Sequence, residues 1–145
     1  KSSKTWSLNV THFCDPMNYS DKLIKELKMT EHPEGGYFVE SFRNKYTSLI
    51  YYLLKAGQTS HWHRLTKDEI LHFYLGAELA LFTSEDAVNV KSITLNNNKK
   101  FHTTVKAGTW FSMKTVGEYS PIGCTVSPPF DYKDFELAPK NWRPK

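Results

Sequence analysis

No run of this chain stays apolar for the roughly 18–20 residues of a membrane span, and no hydrophobic signal segment precedes the patterned part. Cysteine is scarce. Cys14 and Cys124 stand far apart and make no CxxC, which argues against a disulfide framework and for a reducing compartment. Two glycosylation sequons, Asn9-Val-Thr and Asn18-Tyr-Ser, have no other sign of secretion beside them. Charge of one sign is never concentrated. The 19 basic and 15 acidic residues leave a formal +4. The bases are scattered with no block of about five or six, so no nucleic-acid partner is expected. Repeats and low-complexity segments are also missing. These absences leave a soluble, cytoplasmic protein with no membrane association.

What is present points to one packed domain. The chain has 145 residues, of which 39% are hydrophobic and 14% aromatic, enough to bury a core without staples. Residues 1–18 show no period and read as an N-terminal arm. A short helix is expected from Ser20 as N-cap through Leu23, Ile24 and Leu27, ending before Pro33 and the Gly35-Gly36 pair. Beyond it the text is β: "YFVESF", "SLIYYLL", "HWHRL", "EILHFYL", "LALFT", "VNVKSITL", "FHTTVKAG", "TWFSM" and "IGCTV", separated by turn signals. Short strands at this spacing predict an all-β jelly-roll sandwich or barrel over residues 19–137, with 138–145 as a tail. From residue 128 on, the chain is expected to lay a few aromatics on the surface.

Chemistry concentrates in "SHWHRLTKDEILHFYLG". On a regular strand His61, His63 and Leu65 share one face, while Trp62 and Arg64 share the other. An antiparallel return after Thr66-Lys67-Asp68 puts Glu69, Leu71 and Phe73 on one face and His72 and Tyr74 on the other. Such a turn gathers His61, His63 and Glu69, a donor set suited to a divalent first-row metal. Without metal, His63 and Glu69 make a general-base pair, the carboxylate raising the basicity of the imidazole. A tyrosine across the barrel (Tyr37, Tyr52 or Tyr74) then supplies the acid of a two-base epimerisation. Arg64 is expected to meet a carboxylate or an anionic ligand at the mouth, and Trp110 and Phe111 to stack on a base or sugar. Glu40, Ser60 and His72 complete the candidate ligand contacts. Cys124 reads as an inert buried thiol.

The spacing resembles the first motif of the cupins: Gly57, five residues, His63, then Glu69, six residues and Gly76. Leu65 stands where a cupin has its second histidine. Of the second cupin motif only Lys106-Ala107-Gly108 matches, with Phe111 at its histidine position. The run "EHPEGGYFVESF", "SLIYYLLKAG", "SHWHR", "DEILHFYLG", "VKAGTWF", "GCTVSPPF" and "DFELA" is similar, in order, to a small cupin branch without an assigned reaction. That resemblance implies a single jelly-roll cupin barrel with one or two short helices, commonly a homodimer, and relatives among sugar-nucleotide epimerases.

Three functional readings follow. The first is a cupin that binds a small molecule, a nucleotide or nucleotide-sugar, without a cofactor. The second is an epimerase- or isomerase-like enzyme on an activated sugar, with His63 as base, Glu69 behind it and a tyrosine as acid. The third is a divalent-metal enzyme using His61, His63 and Glu69. Because "SLIYYLL" is apolar on both faces, a homodimer is expected to cover one of them.

Overall fold

The computed structural model describes residues 16–145, so Cys14, the Asn9 sequon and most of the expected arm lie outside the described residues. Helix α1 (Pro16–Glu26) begins four residues before Ser20, since proline fits the first turn, where its missing N–H is not needed. It ends with Lys28 in the left-handed region (φ 56°) and the Met29 N–H returning to the Ile24 carbonyl at 2.9 Å.

Among the described residues eleven strands form two antiparallel sheets. One runs β1 (Thr30–Glu31), β2 (Tyr37–Arg43), β3 (Ser48–Lys55), β10 (Tyr119–Val126), β5 (Glu69–Phe73) and β8 (His102–Val105) in spatial order. The other runs β11 (Phe135–Leu137), β4 (Thr59–Leu65), β9 (Trp110–Thr115), β6 (Leu79–Ser84) and β7 (Lys91–Leu95). This is the all-β jelly roll that the strand spacing predicts. Alternation fills the space between the sheets. Tyr52, Leu54, Leu71, Leu81, Met113 and Ile122 are all at most 1% exposed. Each aliphatic chain so buried stabilises the fold by about 1.5–3 kcal/mol before conformational entropy is counted.

The turn after β4 does not return an antiparallel neighbour. β4 and β5 belong to opposite sheets, so His63 and Glu69 meet across the interior and not along a hairpin. On the outside of the six-stranded sheet α1 covers part of the second apolar face of β3. Asp21 pairs with Lys55, and Leu23 and Leu27 lie beside Tyr51 and Leu53. Tyr74 and Leu75, further along the same face, stay 46% and 41% exposed.

Candidate functional site

One end of the interior stays open as a cavity of about 350 Å³, within the range of small-molecule sites. Its polar wall is made by His32, Glu34, His63 and Glu69, and its apolar wall by rings such as Phe38, Phe130 and Phe135.

A β-bulge in β4 builds the polar wall. Ser60 pairs with Met113 and His63 with Phe111, so His61 and Trp62 together oppose the single residue Ser112. The extra residue turns His61 out of the interior and keeps Ser60, His63 and Leu65 inside. It also frees the His61 N–H, which donates to the Glu34 carbonyl at 2.7 Å. Glu34 is thereby tied to the bulge. The two glycines after it make the approach possible. At Gly35 (φ 107°) a Cβ would stand 2.2 Å from the Thr59 carbonyl oxygen, and at Gly36 (φ 74°) 2.8 Å from the Leu53 carbonyl oxygen. The Tyr52 hydroxyl donates to the Gly35 carbonyl and pins the loop from inside the barrel.

Glu34 Oε2 lies 2.7 Å from His63 Nε2, with both side chains at most 6% exposed. His63 Nδ1 lies 2.7 Å from the His61 carbonyl, which only accepts, so Nδ1 carries a proton. A neutral His63 would then face Glu34 with a bare Nε2; the stable arrangement is imidazolium against carboxylate. Burial alone would lower His63, but the Glu34 charge and contact raise it above its ordinary value. Burial alone would raise Glu34, but His63, His32 and Ser60 together hold it low. His32 accepts the Glu34 N–H on Nδ1 at 3.2 Å and, kept neutral chiefly by burial, carries its proton on Nε2. Glu69 is different. Burial pushes it up to about 7, with His63 partly opposing and Glu34 adding to the rise. One oxygen of Glu69 is buried with no hydrogen-bond donor among the described residues. The Cys124 thiol beside Glu69 is pushed well up by burial, an unreactive neighbour.

The C-terminal segment closes the apolar side. Arg43 donates to the Phe130 carbonyl at 2.7 Å, and Ser48 Oγ accepts the Phe130 N–H at 2.8 Å. Lys67 pairs with Asp134 at 2.6 Å, and β11 then pairs with β4. The aromatics after residue 128 therefore do more than coat a surface, since Phe130, Tyr132 and Phe135 line the cavity.

The candidate residues divide accordingly. His63, Glu69 and Glu40 line the cavity, Glu40 at its rim in a bidentate pair with Arg43 at 2.9 and 3.0 Å. Ser60 and Phe111 lie just behind the wall, the Phe111 ring 4.0 Å from the His63 ring. Tyr52 points inward, but its hydroxyl is held by Gly35 and burial raises its pKa far above the ordinary value, so it is no ready acid. Tyr37, Tyr74 and His72 face outward: Tyr37 lies under Lys55, Tyr74 covers Gly123, and His72 meets Thr125 at 3.0 Å. His61 contacts the Pro139 carbonyl at 2.9 Å on the outside. Arg64 binds Glu136 at 2.7 Å and lies over Trp110, also outside, and not at the mouth. The expected gathering of His61, His63 and Glu69 does not form, because the bulge reverses His61. His32 and Glu34 escaped the alternation argument, since both lie in a loop before the first long strand. Their signal was an acid between Pro33 and a glycine pair.

A cupin metal does not fit these side chains. Leu65 and Phe111 are hydrocarbon at two of the four usual ligand positions, and His63 has Nε2 against Glu34 and Nδ1 on a carbonyl. Among the described residues no three His, Cys, Asp or Glu side chains converge as a metal site.

Strand order, cavity position and closure by the C-terminal segment define a single-barrel jelly roll with an interior site. The family model for the Cupin superfamily (DUF985) matches residues 21–138, and the chain belongs to that family. Protein SO0799 from Shewanella oneidensis is 32% identical, with TM-score 0.79, over 82% of this chain and 84% of its own. A hypothetical protein from Leishmania major is 27% identical, with TM-score 0.76, over 82% and 86% of the two chains. The capsular polysaccharide assembling protein CapF from Staphylococcus aureus, 12% identical with TM-score 0.62, covers 75% of this chain and 33% of its own and shares the fold alone. No curated protein matches. Among the described residues no helix is long and apolar enough to cross a membrane.

Proposed function

We propose that this cupin binds a compact small molecule and moves a proton on it, as isomerases and epimerases do. The observation that carries the reading is Glu69: a carboxyl only 8% exposed, lining the cavity, with one oxygen lacking a donor and its pKa raised to about 7. Such a group is poised both to take and to return a proton near neutrality. Glu69 therefore replaces His63 as the base, because both nitrogens of His63 are already engaged. In the step, the Glu69 carboxylate takes a proton from the carbon beside a carbonyl. The electron pair shifts onto the carbonyl oxygen, giving the enediolate of a hydroxy-carbonyl substrate. Its remaining hydroxyl proton passes to that oxygen, and Glu69 returns its proton to the former carbonyl carbon, which completes a 1,2-isomerisation. The buried imidazolium of His63 stabilises the developing charge, and the Nε2–H of neutral His32 is the donor for the oxygen.

A nucleotide-sugar is the second reading; for it Arg43 at the rim would exchange its Glu40 partner for the diphosphate. There the sugar ring occupies the cavity and the diphosphate stays outside it. We infer also that a second copy of the chain covers the outer face around Tyr74 and Leu75. The proton-transfer reading is tested by incubating the protein in D2O with a panel of aldoses, ketoses and amino sugars, and following deuterium at the carbon beside the carbonyl by NMR. Incorporation that vanishes in Glu69→Gln is expected. Incorporation that survives it, or none with any member, overturns the reading.

A further inference from the structure

The cavity wall is unbalanced in charge. Among the described residues Glu34, Glu40, Glu69 and Asp131 face it against two cationic groups, Arg43 and His63. Both cations already have partners: Arg43 is bidentate to Glu40, and His63 lies against Glu34. With Glu69 ionised, the wall keeps two negative charges that no described side chain lining it neutralises. Glu69, 8% exposed, also holds an oxygen without a hydrogen-bond donor among the described residues, whereas Glu34 already has His63 on its Oε2. A buried acceptor left unpaired is costly, more so when charged, so this oxygen calls for an N–H donor. Opposite it stand rings, whose faces attract cations and give a phosphate nothing.

We propose that the cavity selects a small organic cation, an amine or amidine about the size of one ring, held by the Glu34 and Glu69 carboxyls against Phe38, Phe130 and Phe135. This deepens the proton-transfer reading, on which it rests for the role of the site, by naming the class of substrate. An amidinium offers two parallel N–H donors and one positive charge, which meets both demands of the wall. A neutral sugar meets the first and leaves the charge uncompensated. A carboxylate or phosphate meets neither.

The test is calorimetric titration of the whole chain with three probes of one shape: benzamidine, benzamide and benzoate. Benzamidine should bind about tenfold or more tightly than benzamide, and benzoate not at all. Glu69→Gln should bring benzamidine down to the level of benzamide. Phe130→Leu, which keeps an apolar wall and removes a ring, should narrow the gap between the two by about threefold. Arg64→Ala, on the outer face of the barrel, should change nothing, and circular dichroism confirms the fold of each variant. Benzamide binding as tightly as benzamidine, benzoate binding, no probe binding, or benzamidine binding undiminished in Glu69→Gln each overturns the proposal. The two readings fail separately. Cation binding without deuterium exchange on any amino sugar or ketose sinks proton transfer and keeps the ligand class. Exchange on a neutral sugar by a protein that ignores benzamidine does the reverse.

Discussion

The two faces of β4 carry the same ingredients, a cation, a carboxylate and aromatic rings, in opposite surroundings. Inside, His63 meets Glu34 and the Phe111 ring with every side chain nearly free of water. Outside, Arg64 meets Glu136 with side chains 40% and 55% exposed, and lies over Trp110, itself packed on Trp142 at 4.6 Å. Water screens the outer pair and tolerates its loss. The inner pair has no such refuge: removing one member leaves a bare charge in an apolar wall. The proposed function rests on the inner face, where burial and close charges shift the protonation states of Glu34, His63 and Glu69.

His63→Ala breaks the comparison at its strongest point. It strands the Glu34 carboxylate and should cost about 3–5 kcal/mol in urea unfolding. Glu69→Gln should act in the other direction. Glu69 is raised from 4.5 to about 7 in the fold, so between those values the folded chain holds more protons than the unfolded one. Stability from this group therefore falls as pH rises through that window. Above it, the glutamine variant should be more stable than the parent by an amount on the order of 3 kcal/mol, read as a higher melting temperature in alkaline buffer.

The inner pair sets the rest of the pH profile. Glu34, held low, contributes stability that is present above its ordinary 4.5 and lost as pH falls through its lowered value. His63, held high, contributes stability that is present below its ordinary 6.5 and lost as pH rises through its raised value. Thermal melts across pH should therefore peak between 4.5 and 6.5, and a profile still rising above 6.5 would contradict the pairing. Gly35→Ala forces an alanine into a left-handed conformation against the Thr59 carbonyl and should cost about 2–3 kcal/mol. Its cavity should also lose Glu34, which the benzamidine titration reads. Arg64→Ala, the outer counterpart, should cost at most about 1 kcal/mol. Smallest in energy per chain is the outer apolar face: sedimentation should give a dimer that Tyr74→Lys dissociates, and a monomer mass for the parent would count against the second copy.

Much of this was legible in the residues. The alternation of "EILHF" puts Glu69, Leu71 and Phe73 inward, and the structure agrees because β5 is regular throughout its length. Leu65 and Phe111 stand in the sequence itself as hydrocarbon where a cupin has histidines. The same reasoning misled for His61, since a period of two holds only while the ladder is unbroken, and the insertion opposite Ser112 breaks it. Nor does alternation say whether β4 and β5 pair or face each other. That choice brings His63 to Glu69 across the barrel.

By itself the sequence determined what depends on near neighbours: the strands, the turns that only glycine fits, the family and one of the two acids. The tertiary structure alone decided which histidine enters the cavity, that Glu34 meets it from a loop about thirty residues earlier in the chain, and that the segment after Pro128 closes the wall. The reason is physical. A side chain's direction follows from local backbone geometry, whereas its protonation state and partners follow from everything packed around it, most of which lies far away in the chain.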